Sequence, residues 1–266
     1  VAIHAAQLGA QVSLVSRVGC DELGDRACAE LAAAGIDVSL VQRDPERPTG
    51  TVAVTLVRGE PSFRIADEVA WDRLAWTRET AAAVGAADVL YFGTLAQRTV
   101  LGAGALSTAW AGTRPGCLRV CDLNVRPPFA EPSILVRSVA HADVVKLNED
   151  EAKLLSSCAD AADSIAWLLG RGVQLVALTR GGRGCTLATT TERVDCPAHP
   201  LSSDRGDAVG AGDAFVAVLV AELGGSGRGR LALGELGARA NRVAAYVASV
   251  PGATPCLPAS LRGGAS

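Results

Sequence analysis

Leu118-Arg-Val-Cys-Asp-Leu123, Pro132-Ser-Ile-Leu-Val-Arg-Ser-Val139, Asp143-Val-Val-Lys-Leu147 and Glu149-Asp-Glu-Ala-Lys-Leu-Leu155 follow one another in mid-chain, and their order decides the fold class. The first and third are short apolar runs of β type. The second and fourth carry apolar residues at helical spacing. Strands that alternate with helices form a mainly parallel sheet, because a crossover is needed to bring the chain back to the same end.

The same alternation extends outward. Upstream, Val12 to Ser16 reads as a strand and Asp21 to Ala34 as a helix stopped by Gly35. Thr51 to Val57 and Ser62 to Ile65 read as two strands around the turn Arg58-Gly-Glu-Pro61. Asp88 to Phe92 is β-like, and Arg98 to Trp110 is helical. Downstream come a helix from Ala161 to Leu169, a strand from Val173 to Leu178, and β-like runs at Cys185 to Thr189 and Arg193 to Cys196. Two long helical patterns, Gly212 to Leu223 and Leu231 to Ala248, close the chain, with Gly224 to Gly227 as the loop between them. The pattern predicts one α/β domain over residues 1–266, its sheet covered on both faces. The hairpin at residues 51–65 stands outside the repeat and reads as a small β lid.

With 266 residues, 49% of them hydrophobic, the chain can bury a core of its own. No apolar run reaches the ~20 residues of a membrane helix. No N-terminal stretch has the basic, apolar, small-residue order of a secretory leader. A formal net charge of -3 argues against nucleic acid as the main partner. The eight cysteines contain no CxxC pair, and no second pair accompanies Cys117 and Cys121, so they read as reduced, mostly buried thiols of a cytoplasmic protein. The chain holds no Met, begins at Val1, and has Lys only at Lys146 and Lys153. A GC-rich coding sequence with a GTG start fits these facts, and so does an upstream segment left out.

Ligands of open α/β sheets bind beyond the carboxyl ends of the strands. Polar residues collect there: Gly93, Thr94, Gln97 and Arg98; Asp122, Asn124 and Arg126; Lys146, Asn148, Glu149 and Glu151; Thr179, Arg180, Gly181 and Gly182. Singly, Asn148 or Thr179 suits a helix cap or a turn; together they point to one polar crevice. The sharpest local signal is Gly206-Asp-Ala-Val-Gly-Ala-Gly-Asp213, which opens a helical pattern. Glycines let the backbone approach a ligand, and the first amides of a helix attract an anion. A phosphate on the amides of Ala211, Gly212 and Asp213 would have the Asp213 carboxylate beside it, able to take a proton from an attacking hydroxyl. An ordinary N-capped helix explains the same octapeptide. It is neither a P-loop nor a dinucleotide fingerprint, because GK[ST] and GxGxxG are both missing.

The chain resembles the ribokinase-like, or PfkB, carbohydrate kinases, and within them fructokinase. Asp207-Ala-Val-Gly-Ala-Gly-Asp213 is similar to the family's D-T-x-G-A-G-D, Asn148-Glu-Asp-Glu151 to its N-x-x-E, and Thr179-Arg-Gly-Gly182 to its T-x-G-A turn. Asp122-Leu-Asn-Val-Arg-Pro-Pro128 resembles a stretch frequent in fructokinase-like members; Gly93 to Arg98 and Pro251 to Pro255 are also familiar. The likeness runs in order along essentially all 266 residues. It implies a three-layer α/β/α sandwich with a mainly parallel sheet and a small β lid. It implies ATP-dependent phosphorylation of a sugar hydroxyl, with Mg²⁺ and K⁺ as cofactors, sugar and ATP as small-molecule partners, and a homodimer. Asp213 would be the catalytic base, and Gly210, Ala211 and Gly212 would form the anion hole. Asn148, Thr179, Gly181 and Asn241 would line the nucleotide side, with Glu151 acting on Mg²⁺ indirectly. Asp207, with carbonyls near Val250 and Gly252, would hold a monovalent cation. Asp122, Asn124 and Arg126 would face phosphate or sugar.

The departures from the family pattern are specific. Val1 to Ala10 resembles the helix after the family's G-G-x-x-x-N motif, which places that sugar-binding motif, the first strand and part of the lid before residue 1. Ala208 replaces the hallmark Thr, and Val218 stands where a small Gly is usual. Fructose is the first substrate expected; a 2-keto-3-deoxy sugar acid, ribose or a nucleoside stays open, as does a catalytically impaired nucleotide- or sugar-binding relative.

Overall fold

The computed structural model describes residues 1–266 except 58–59, 130, 157–159, 204–205, 225–230 and 264–266, with 54–57 and 60–63 described by their backbone alone. In chain order the elements are α1 (Ala2–Gln7), β1 (Ser16–Gly19), α2 (Glu22–Ala33), β2 (Val41–Asp44), β3 (Val52–Val57), β4 (Glu60–Ile65), α3 (Arg78–Ala86) and β5 (Val89–Gly93). Then come α4 (Val100–Gly112), β6 (Leu118–Asp122), α5 (Pro132–Ala140), β7 (Val144–Asn148), α6 (Glu149–Ser156), α7 (Ala161–Leu169) and β8 (Leu175–Thr179). The last are β9 (Cys185–Ala188), β10 (Arg193–Cys196), α8 (Ala211–Gly224), α9 (Leu233–Ala248) and α10 (Ala259–Arg262).

The chain forms two compact units. The first comprises Val1–Gln11, Ala87–Leu95 and Thr113–Ser266. Its sheet has six strands in the order β10-β9-β8-β7-β6-β5. β5 to β8 run parallel, β9 runs against β8, and β10 turns back again at the edge. Val144 to Leu147 of β7 are all buried, as expected for a strand covered on both faces. Alternate residues therefore enter different layers. Val120 and Val144 join Phe215, Leu219, Leu236 and Val243 in one core cluster. α8 is buried from Ala214 to Leu219, which explains its apolar residues on every side. It packs on α1, α9, β5 and β6, while α6 and α7 pack on each other and on β7 and β8. Each side chain as fully enclosed as Phe215 or Leu219 contributes roughly 1.5–3 kcal/mol.

The second unit comprises Val12–Ala86 and Ala96–Gly112. β1 and β2 pair in parallel, and β3 and β4 form an antiparallel hairpin. Asp21 caps α2 by accepting the Gly24 amide at 2.8 Å, and it also accepts the amide and hydroxyl of Thr49. Arg98 lies over Trp71 and grips both oxygens of Asp72 at 2.6 Å.

Most expected elements are present within two or three residues. The exception at the start is Val12 to Ser16, where Ser13 makes only an isolated bridge to Asp37 and the strand proper begins at Ser16. Its partner β2 escapes a reading based on apolar runs because Gln42, Arg43 and Asp44 interrupt the pattern. The alanine-rich α3 escapes it for want of a clear apolar stripe. β4 starts at Glu60, ahead of Ser62, because Glu60 pairs with Val57; Arg58 and Gly59 of the expected turn lie outside the described residues. Gly224 closes α8, and residues 225–227 of the expected loop also lie outside them. Cys117, Cys121, Cys185 and Cys196 are buried and free, Cys20 and Cys256 are exposed and free, Cys28 is free and half-buried, and Cys158 lies outside the described residues. Among the described residues no helix is long and apolar enough to cross a membrane.

Candidate active site

The carboxyl ends of three parallel neighbours, β6, β7 and β8, bring together Asp122, Asn148 and Thr179 in the first unit. Asp122 pairs in register with Lys146, and Asn148 with Thr179. Beyond β6 the chain is pinned at Leu123: its amide donates to the Lys146 carbonyl at 3.1 Å, and its carbonyl accepts the Thr94 hydroxyl at 2.6 Å. Asn124 then takes a positive φ of 39°, a conformation Asn tolerates better than most side chains.

Asn148 and Glu151 form a capping box at the start of α6. Asn148 Oδ1 accepts the Glu151 amide at 2.8 Å, and Glu151 Oε2 accepts the Asn148 amide at 2.8 Å. The other oxygen, Oε1, accepts the amide of Val125 at 2.8 Å. The buried Glu151 thus joins the segment after β6 to the start of α6. Arg126, exposed, lies one residue beyond that tie.

The loop Gly206 to Asp213 packs tightly on the chain after α9. A Cβ on Gly206 would fall 2.1 Å from the Ala248 carbonyl oxygen, and one on Gly210 would fall 2.2 Å from that of Ala253. Gly210 also has φ +82°, so two independent constraints demand glycine there. Asp207 turns its Oδ1 back to the Val209 amide at 2.9 Å, a local Asx turn. The Ala211 amide reaches the Ala208 carbonyl at 3.3 Å, and the Ala214 amide donates to Gly210 at 2.8 Å. Among the described residues, the amides of Gly212 and Asp213 have no backbone acceptor. Two donors at the positive end of a fourteen-residue helix are thus left for an anion, beside a carboxylate whose side chain is 43% exposed. The residues fit a phosphate group there. The backbone nitrogen of Val1 lies 3.7 Å from Asp213 Oδ1, so α1 flanks this turn.

Beneath the turn lies a buried pair: Lys146, which the motif reading left without a role, and Asp122, expected to face phosphate or sugar but wholly buried here. Lys146 Nζ donates to Asp122 Oδ1 at 3.0 Å. Burial pushes the Asp122 carboxyl up to about 6; Lys146 pulls it down, and the negative charges of Glu151 and Asp213 add to the rise. Tyr91 is close enough for its phenol to be pushed well above the usual range, by burial first and then by Asp122 and Asp213. His4 is wholly buried, and its Nε2 lies 3.1 Å from the Ala253 carbonyl oxygen, the same oxygen that crowds Gly210. The sequence signal for Lys146 was present, since a lysine inside an apolar run needs a partner; for His4 there was none.

On the other side, the Thr179 hydroxyl donates to the Leu147 carbonyl at 3.3 Å, and Gly181, with φ 55°, opens the 3-10 turn to Arg183. Asn241 is buried and uses its amide group on the carbonyls of Cys196, at 3.3 Å, and Pro197, at 2.8 Å. It therefore holds the chain leaving β10. Gln97 and Arg98 belong to the second unit, so the first unit gathers Gly93 and Thr94 without them. Among the described residues no group of three or more His, Cys, Asp or Glu could hold a metal ion.

The model of the pfkB family carbohydrate kinases matches residues 1–260. The fructokinase of Salmonella typhimurium is 32% identical over 235 residues, which cover 85% of this chain and 76% of that protein. The structure of an uncharacterized sugar kinase from Pyrococcus horikoshii in complex with ATP superposes with a TM-score of 0.78 at 28% identity, covering 95% of this chain and 82% of that one. A fructokinase from Vibrio cholerae O395, with fructose, ADP and calcium bound, gives a TM-score of 0.84 at 23% identity, covering 98% and 87%; that likeness is one of fold. The architecture is accordingly the ribokinase-like α/β sandwich, its central sheet mainly parallel and flanked by helices.

Proposed function

The chain belongs to the pfkB family of carbohydrate kinases, and from that premise we propose that it transfers the γ-phosphoryl group of ATP to a hydroxyl of a small sugar, fructose being the first candidate. The observation that carries this reading is the first turn of α8, where two unengaged amides, Gly212 and Asp213, stand beside an open carboxylate. ATP would supply the transferable phosphoryl group, and Mg²⁺ would offset its negative charge.

Asp213 takes the proton of the attacking sugar hydroxyl on its carboxylate, which sharpens the oxygen as a nucleophile. The Gly212 and Asp213 amides hold the charge of the transferring group, and Gly210 keeps the backbone flat enough to let it approach. The Ala211 amide, engaged with Ala208, contributes less than its neighbours. Asn124 and Arg126 would face the phosphate and sugar side, and the wholly buried Asp122 would reach it only through Lys146. Asn148, Thr179, Gly181 and Asn241 serve the nucleotide side. Glu151, both oxygens of which hold backbone amides, would act on Mg²⁺ only at one remove, through the segment it anchors. Asp207 with the carbonyls near Val250 and Gly252 would hold a monovalent cation such as K⁺. Fructose is put first because a fructokinase stands among the relatives at 32% identity.

A coupled ADP-release assay with fructose, ribose, a 2-keto-3-deoxy sugar acid and a nucleoside, paired with calorimetric titration of ATP–Mg²⁺, tests the reading. ATP–Mg²⁺ binding is expected, with weak turnover that depends on the sugar, fructose first. Turnover with another acceptor alone would move the substrate and keep the chemistry. A folded chain that neither binds ATP nor phosphorylates any of the four would end the proposal.

A further inference from the structure

Lys146 is placed where neither the helix start nor the motifs required it. The two-residue period of β6 and β7 sends Asp122 and Lys146 to the layer that also receives Val120 and Val144, under α8. There Lys146 Nζ lies 3.0 Å from Asp122 Oδ1 and 3.3 Å from the point a Cβ on Gly212 would occupy; no atom of Asp122 comes within 4 Å of that point. The pair is thus a buried dipole with its positive end against the first turn of α8. Asp122 Oδ2 has no hydrogen-bond partner among the described residues, so Lys146 is the side chain that holds this carboxylate. Composition sharpens the point. Lysine occurs in this Arg-rich chain only at Lys146 and Lys153, and a compact ammonium suits a narrow space that a planar guanidinium would overfill.

We infer that Lys146 is a further positioning residue of the phosphoryl site: oriented by Asp122, its ammonium backs the amides of Gly212 and Asp213 with fixed positive charge. The inference rests on the kinase reading for its ligand. Its geometry is that of the first unit alone. In a water-poor site a charge already in place costs no reorganisation when negative charge develops, so its effect falls on the transition state more than on nucleotide binding.

The test compares the full chain with Lys146→Met and with the double variant Lys146→Met/Asp122→Asn, which leaves no buried carboxylate unpaired. Three quantities are read: kcat with the accepted sugar, calorimetric affinity for ADP–Mg²⁺, and the gain in that affinity when aluminium fluoride, a mimic of the transferring phosphoryl group, is added. Both variants should keep ADP affinity within a few-fold, lose the aluminium fluoride gain, and lower kcat by about 10²-fold, the low end for loss of one preorganised electrostatic partner. An active chain whose folded double variant keeps both kcat and the aluminium fluoride gain would overturn the role of Lys146 and leave the kinase reading intact. A chain inactive on every sugar that still shows a Lys146-dependent aluminium fluoride gain would sustain Lys146 and overturn the sugar. No nucleotide binding by the folded chain would overturn both.

Discussion

Glu151 and Val125 are joined by a 2.8 Å hydrogen bond from the Val125 amide to Oε1, while the other oxygen of the same carboxylate caps α6 at Asn148. One buried side chain therefore fixes two segments that arise from different strands. The segment after β6 carries Asn124 and Arg126, and the start of α6 carries Asn148, so the relative placement of three candidate site residues passes through Glu151.

Replacing Glu151 with Ala should therefore act on stability and activity together. It leaves two part-buried amides, those of Val125 and Asn148, without their acceptor, together costing about 1–3 kcal/mol because water reaches them in part. Urea unfolding should show a loss in that range, and KM should rise for sugar or ATP. Glu151→Gln, which keeps an acceptor oxygen, should lose less than half as much. Unchanged unfolding of Glu151→Ala would show that the tie carries no weight.

Asp213→Asn should lower kcat by about 10²–10⁴-fold, the usual cost of removing a general base. ATP affinity should change little, since the amides of Gly212 and Asp213 remain. Near-normal turnover by this variant, measured by ADP release, would remove Asp213 from the proton-transfer role.

Acid pH should reveal Asp122. Its folded-state value of about 6 lies above the ordinary 3.8, so the folded chain holds a proton that the unfolded chain releases between those values. The sign follows: the contribution of Asp122 to stability is fullest below pH ~4 and is lost as pH rises through about 6. Wild type should lose stability relative to Asp122→Asn between pH 4 and pH 7 in paired urea titrations. Activity should run the other way, because Lys146 is oriented only by the ionised carboxylate. The acid limb of kcat should have a midpoint near 6 and should flatten in Asp122→Asn; an unchanged limb would assign it to another group.

Gly210→Ala should destabilise by at least about 1–2 kcal/mol from the left-handed backbone alone, and by more because the methyl meets the Ala253 carbonyl. Gly206→Ala shares the clash without the positive φ. Urea midpoints of the two, with their ADP affinities, separate strain from crowding: Gly210→Ala should be the worse in both. The reverse order would place the main constraint at Gly206.

Much of this was legible from residue type and spacing. The order of strands and helices from Leu118 to Leu155 followed from apolar periodicity, because a strand buried on both faces tolerates few interruptions. Gly210 and Asp213 could be picked out because glycines before a helix start have few other uses. The helix cap at Asn148 was readable too, and the structure bears it out. Three things were not readable. The bond from Glu151 to Val125 depends on how far apart the ends of β6 and β7 lie. Lys146 was visible as a polar residue, but its place under Gly212 is set by the packing of α8. His4 reaches Ala253 across almost the whole length of the chain, and no local pattern records such a contact.

That last contact has a consequence for how the protein is made. The loop from Gly206 to Gly210 leans on the Ala248 and Ala253 carbonyls, and Ala253 is in turn met by His4. During synthesis the ribosome releases residues 248–253 well after α8 has emerged. Through that interval the nascent chain has its helix but lacks the wall that shapes the loop before it. The sheet can form progressively from β5 onward, whereas the turn at Gly210 is finished last, when His4 and Ala253 have met.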